Sequence, residues 1–169
     1  MEKYEKKILW YSAGAILLLL VLNKSGLSNL LNFGQPSAID QQNANNSNTA
    51  VTATQNNIPV LQQTMSQTYS DADYANFAQQ IFNFVSPGLW GTYDANSAAK
   101  IMCKMINDLD VAKLIVSFGT RTINEHTTSQ PMGLLQAVQN AIDSSYIIGS
   151  DPRSLINSCW NSNGITYTI

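Results

Sequence analysis

Glu125 and His126 are the one adjacent pair of strong proton-transfer groups in the chain. A carboxyl with a raised pKa can serve as a general acid on a glycan, normally opposite a second carboxylate. The residues around Glu125, from Arg121 to Gln130, are polar, the wrong setting for raising a carboxyl pKa by desolvation. None of the serines stands in an evident nucleophile-elbow motif, and a lone histidine cannot be assigned to one as its base. One histidine and two cysteines are too few for a tetrahedral Cys/His zinc shell. No catalytic residue, metal centre or cofactor is therefore expected. Glu125 carries the alternative reading, a membrane-tethered lysin acting on peptidoglycan.

Three other sets of residues invite chemistry. Asp71, Asp73, Asp94, Asp108 and Asp110 resemble a carboxylate cluster, but each falls where a helix is expected to start. There a carboxylate favours the helix dipole and the free N–H groups. Cys103 and Cys159 fall on apolar helix faces. They form either a disulfide, permitted in an oxidising compartment, or two buried thiols. Trp90, Tyr93, Trp160 and Tyr167 are aromatic residues in a loop or near the C-terminus, candidates for anchoring a protein contact or for core packing.

The elements that must position these residues follow from composition and periodicity. At 169 residues, with 12% charged and a formal charge of −2, the chain lacks the basic face that nucleic-acid binding needs. Ile8 to Leu22 is an uncharged run that includes Trp10, Tyr11, Ile16 and Leu20. Its 15 residues would rise about 22 Å as a helix, short of a hydrocarbon core of roughly 30 Å. Snorkelling by Lys6 and Lys7, and Trp10 and Tyr11 in the headgroup layer, can supply the difference. Residues 1–36 are thus read as a membrane anchor, with Leu27 to Phe33 as an interfacial helix or a loop. A cleaved signal peptide is the competing reading, opposed by the absence of a small-x-small site after Leu22. A helix buried in a larger assembly is a third. Lys3, Lys6 and Lys7 before the run, against Lys24 after it, place the N-terminus inside and the C-terminal bulk outside.

Residues 37–68 are rich in Gln, Asn, Ser and Thr, with Asp40 as their one charge. Such a segment buries too little apolar surface to offset its ordering entropy, so a polar tether is expected. Val51, Ile58, Val60 and Leu61 could dock as short extended pieces. Asn45-Asn46-Ser47 forms a glycosylation sequon of a kind that chance produces easily in so Asn-rich a stretch.

Residues 69–169 read as five short helices. Ser70 and Asp73 approximate a capping box ahead of Tyr74, Phe77, Ala78, Ile81 and Val85. Asp94 caps a second helix carrying Ala98, Ile101, Met102 and Met105. A third follows Asp108 with Val111, Leu114, Ile115 and Phe118, and stops at Gly119. The fourth starts at Pro131 and buries Leu134, Leu135, Val138 and Ile142. Asp151-Pro152 opens the fifth, which carries Leu155, Ile156, Cys159 and Trp160. Ile165 to Ile169 is β-prone. The fold class is all-α: a single membrane-spanning helix, a polar linker and a small helical bundle.

A first helix ending in an apolar run, the loop Gly88-Leu89-Trp90-Gly91-Thr92, four further short helices and the phrase Phe118-Gly119-Thr120-Arg121 together resemble a single annexin-like repeat of the bacterial and phage kind, over about residues 71–165. The resemblance implies loop carbonyls near Gly88, Gly91 and Thr92 as calcium ligands, completed by an acid about forty positions on. That position falls near Pro131, where this chain has none, with Glu125 the nearest acid. A calcium-dependent membrane-binding module is thus a further alternative. The expected function is structural: a single-pass anchor linking a bilayer to a protein layer. That layer is a bacterial envelope complex or the capsid of a membrane-containing phage, with the chain a minor virion protein and a homo-oligomer within a symmetric assembly. The localisation is a cell membrane or a virion membrane.

Overall fold

The computed structural model describes residues 38–89, 91–125, 128–145 and 151–169. The expected anchor, with Ile8, Trp10, Tyr11, Ile16, Leu20 and Leu22, lies outside the described residues. Among the described residues no helix is long and apolar enough to cross a membrane.

The described part is mostly helical. Its elements in order are α1 (Ala38–Leu61), α2 (Asp71–Val85), α3 (Ala95–Met102), α4 (Asp108–Phe118), β1 (Thr120–Asn124), β2 (Ser129–Gly133), α5 (Leu134–Ser144) and α6 (Pro152–Ser162). The five short helices expected from periodicity are α2 to α6. Ser70 closes a full capping box with Asp73, and Asp94 accepts from the Ser97 N–H as the cap of α3. Asp151 caps α6 with Pro152 in the first turn. Tyr74, Ala78, Ile81 and Val85 of α2 meet Met102, Leu114, Phe118, Val138, Ile156 and Trp160 in one core.

Three expectations are corrected. The polar stretch after Gly119 is an antiparallel hairpin, with Thr120 opposite Gly133 and Thr122 opposite Pro131, so the fold is not purely helical. Pro131, which lacks an N–H, sits inside β2, and α5 begins three residues later at Leu134. The β-prone tail Ile165–Ile169 forms no strand. Side chains hold it instead: Thr166 donates through its N–H and hydroxyl to Asp108, and Ile169 exchanges backbone bonds with the Asn157 amide.

The largest departure is α1. Most of the expected tether is a 24-residue helix packed on α4 and the hairpin. Its inward stripe is Asn43, Ser47, Val51, Thr54, Ile58 and Leu61, a three-and-four spacing that fits a helix. Much of that stripe is small and polar, and its groups find partners. Asn43 donates to Gln130, and buried Ser47 donates to Gln136 while accepting from the Gly133 N–H. Hydrogen bonds thus replace part of the apolar burial that the composition withholds. Thr49 and Thr54 turn their hydroxyls onto the carbonyls of Asn45 and Ala50, so those side chains find acceptors within the helix itself.

Cys103 and Cys159 form a disulfide joining the end of α3 to α6, with Cα atoms 5.4 Å apart.

Candidate functional site

The small side chains on α1 leave an apolar groove of about 280 Å³ between that helix, the start of α5 and the C-terminal tail. Val51 lines one side, Ile115, Leu134 and Leu135 the floor and far side, and Tyr167 one wall. Ser47 and Gln136 form a polar pair at its edge, 3.1 Å apart. No charged residue lines the groove. Tyr167 is half-buried, and burial, then the charge of Asp108, pushes its hydroxyl pKa up. It stays neutral at ordinary pH and can donate a hydrogen bond. Such a groove suits a neutral, mainly apolar group.

A second cluster forms where the glycine loop meets the hairpin. Gly88 adopts a φ of +69°, in the left-handed region that glycine tolerates, and its N–H donates to the Asn124 carbonyl. Gly91 lies so close to the Pro87 carbonyl that a Cβ there would overlap its oxygen. Gly91 is thus the crowded position of this corner, whereas a Cβ at Gly88 would meet open space. Among the described residues no group of three His, Cys, Asp or Glu side chains gathers as a metal shell. Trp90 and His126 lie outside the described residues.

Glu125 sits at the hairpin turn. Its carboxylate accepts from Asn140 at 2.8 Å and from the Thr128 hydroxyl at 2.9 Å. Tyr93, half-buried beside them, meets the side chains of Asn140 and Ser144. Burial and then the Glu125 charge push its hydroxyl pKa up. In this arrangement Glu125 braces the turn against α5.

Trp160 is corrected as a surface candidate. It is fully buried, and its indole N–H donates to the Met102 carbonyl at 3.0 Å. Tyr93 and Tyr167 keep partial exposure.

Asp108 and Asp110 stand in the first turn of α4, where a helix start is expected, and their carboxylates also reach remote partners. Asn107 is the cap of α4, accepting from the Asp110 N–H. Asp108 holds Thr166, whereas fully buried Asp110 accepts from the Tyr74 hydroxyl, the Thr68 N–H and hydroxyl, and the Ile106 N–H. Burial and then the Asp110 contact push the Tyr74 pKa well above the ordinary tyrosine range. Asp110 thereby ties α2, α4 and the segment before α2 together. Residue type alone gave no signal of this, because the partners lie 36 and 42 positions away.

Comparison with protein families, with characterised proteins and with solved structures finds no match for this chain.

Proposed function

We propose that the chain is a single-pass membrane-anchored structural or interaction protein that links a bilayer to a protein layer through its helical head. The observation that carries this is the Cys103–Cys159 disulfide. Such bonds persist mainly in oxidising compartments, outside the cytosol. The lysine bias around Ile8–Leu22 independently assigns the C-terminal bulk to the outer side. Two unrelated signals, redox chemistry and charge, therefore favour one topology.

The neutral groove between α1 and α5 gives the head a surface for a partner, whether an envelope protein, a capsid protein or a second copy in a symmetric shell. The annexin-like resemblance remains a proposal for the order of helices α2 to α6, from which the hairpin is a departure.

The test is a carbonate wash and detergent fractionation of the native membranes or virus particles, with thiol labelling before and after reduction. The expected result is a full-length chain that resists carbonate, yields to detergent, blocks label until reduced and co-purifies at fixed stoichiometry with a shell or envelope protein. A chain freed by carbonate, or cleaved near residue 25, overturns the anchor and makes a secreted effector the better reading.

A further inference from the structure

The C-terminal segment meets the end of α3 and the start of α4 in an unusually regular way. Trp160 donates its indole N–H to the Met102 carbonyl, Asn163 its amide to the Met105 carbonyl, and Thr166 its N–H to the Asp108 carboxylate. All three pairs have the same separation of 58 residues. Residues 160–166 therefore run in constant register along residues 102–108, three rungs at three-residue steps. The disulfide lies beside the first rung, because Cys103 follows Met102 and Cys159 precedes Trp160. Tyr167, next after the third rung, is a wall of the groove against Val51, Ile115 and Leu134.

We infer that Cys103–Cys159 is a redox latch on this segment, fixing the register of the three rungs and so fixing the Tyr167 wall. In residues 152–169, Pro152, Ile156, Trp160 and Ile165 are buried, while Leu155, Tyr167 and Ile169 pack only partly buried against the core. The second and third rungs come from Asn163 and Thr166, both exposed residues, the latter bonding the buried Asp108 carboxylate through its N–H and its hydroxyl. Without the covalent tie they open by local fraying, and Tyr167 leaves the groove.

The latch closes by thiol–disulfide exchange. One cysteine thiolate attacks a disulfide-class oxidant, forming a mixed disulfide and releasing one thiolate. The second cysteine thiolate then attacks the protein sulfur of that mixed disulfide and releases the other. Two electrons pass from the cysteine pair to the oxidant, and the two protons lost by the cysteine thiols are taken up by the two released thiolates. A dithiol reverses the sequence and is itself oxidised.

Hydrogen exchange on the full-length chain in detergent, oxidised and after phosphine reduction, tests this. The phosphine takes oxygen from water to become its oxide, leaving two thiols. Amides of residues 160–169 are expected to exchange at least about tenfold faster after reduction and to become markedly less protected than those of α2 and α4. The variant Thr166→Val, with the disulfide intact, is expected to loosen residues 165–169 alone. Unchanged exchange at 160–169 after reduction overturns the latch, since the rungs then hold unaided. Residues 160–169 that stay as protected as α2 and α4 after reduction also overturn it, since the bond is then a general staple.

Discussion

Asp110 shows how far one side chain can reach. A fully buried carboxylate with four donors is tolerated because those hydrogen bonds replace its lost hydration. Asp110→Asn keeps the shape but turns one acceptor into a donor that faces donors. The loss expected is about 2–3 kcal/mol in denaturant unfolding of the full chain, and a midpoint shift too small for even 1 kcal/mol would refute the hub. Tyr74, Tyr93 and Tyr167 add a pH dependence at the same scale. All three hydroxyl pKa values are raised in the fold. A raised pKa favours the protonated form, so this stabilisation is complete below the unfolded tyrosine value of about 10. It is lost as pH climbs through the folded values. Unfolding midpoints measured from pH 8 to 11 should hold steady and then fall above about pH 10. Tyr74→Phe should flatten part of that fall.

At the scale of elements, α1 poses the sharpest question, because its composition reads as a tether while its inward stripe packs. The two descriptions predict opposite mutational behaviour. For a tether, Ser47 and Asn56 are equivalent; for a packed helix they are not. Ser47→Ala removes a hydroxyl that both donates and accepts at a buried site, so a loss of about 1–2 kcal/mol is expected. Asn56→Ala, on the exposed face, replaces a weak helix former by the best one and should stabilise by about 0.5 kcal/mol. Circular dichroism with denaturant titration of both variants checks the pair, and equal effects would return the segment to a tether. The hairpin makes a related point. Its strands hold Pro131 and exposed polar residues, so nothing in their hydrophobic pattern announced them.

For the whole molecule, the disulfide is the covalent constraint that local pattern could not settle. It closes a loop with a separation of 56 residues. On the chain-entropy account such a closure is worth about 4 kcal/mol, so Cys103→Ser with Cys159→Ser should lower stability by roughly 2–5 kcal/mol. Calorimetry of the double variant against the oxidised chain measures it, and an unchanged Tm would show the bond to be incidental.

By itself the sequence determined the features that a few neighbouring residues decide. Helices α2 to α6 were legible because apolar residues recur every three or four positions and because Ser70, Asp94 and Asp151-Pro152 mark their starts. The uncharged run Ile8–Leu22 and its lysine bias are equally local. Tertiary structure alone decided which polar residues are buried and what they meet. Asp110 with Tyr74, Ser47 with Gln136, and the three rungs from 160–166 to 102–108 join residues 36 to 89 positions apart. The physical reason is satisfaction at a distance. A buried polar group costs energy until a partner arrives, and its own neighbours in sequence do not reveal which remote segment supplies one. The groove belongs to the same class, since its walls come from four separate stretches of chain and exist only once α1, α4, α5 and the tail have packed.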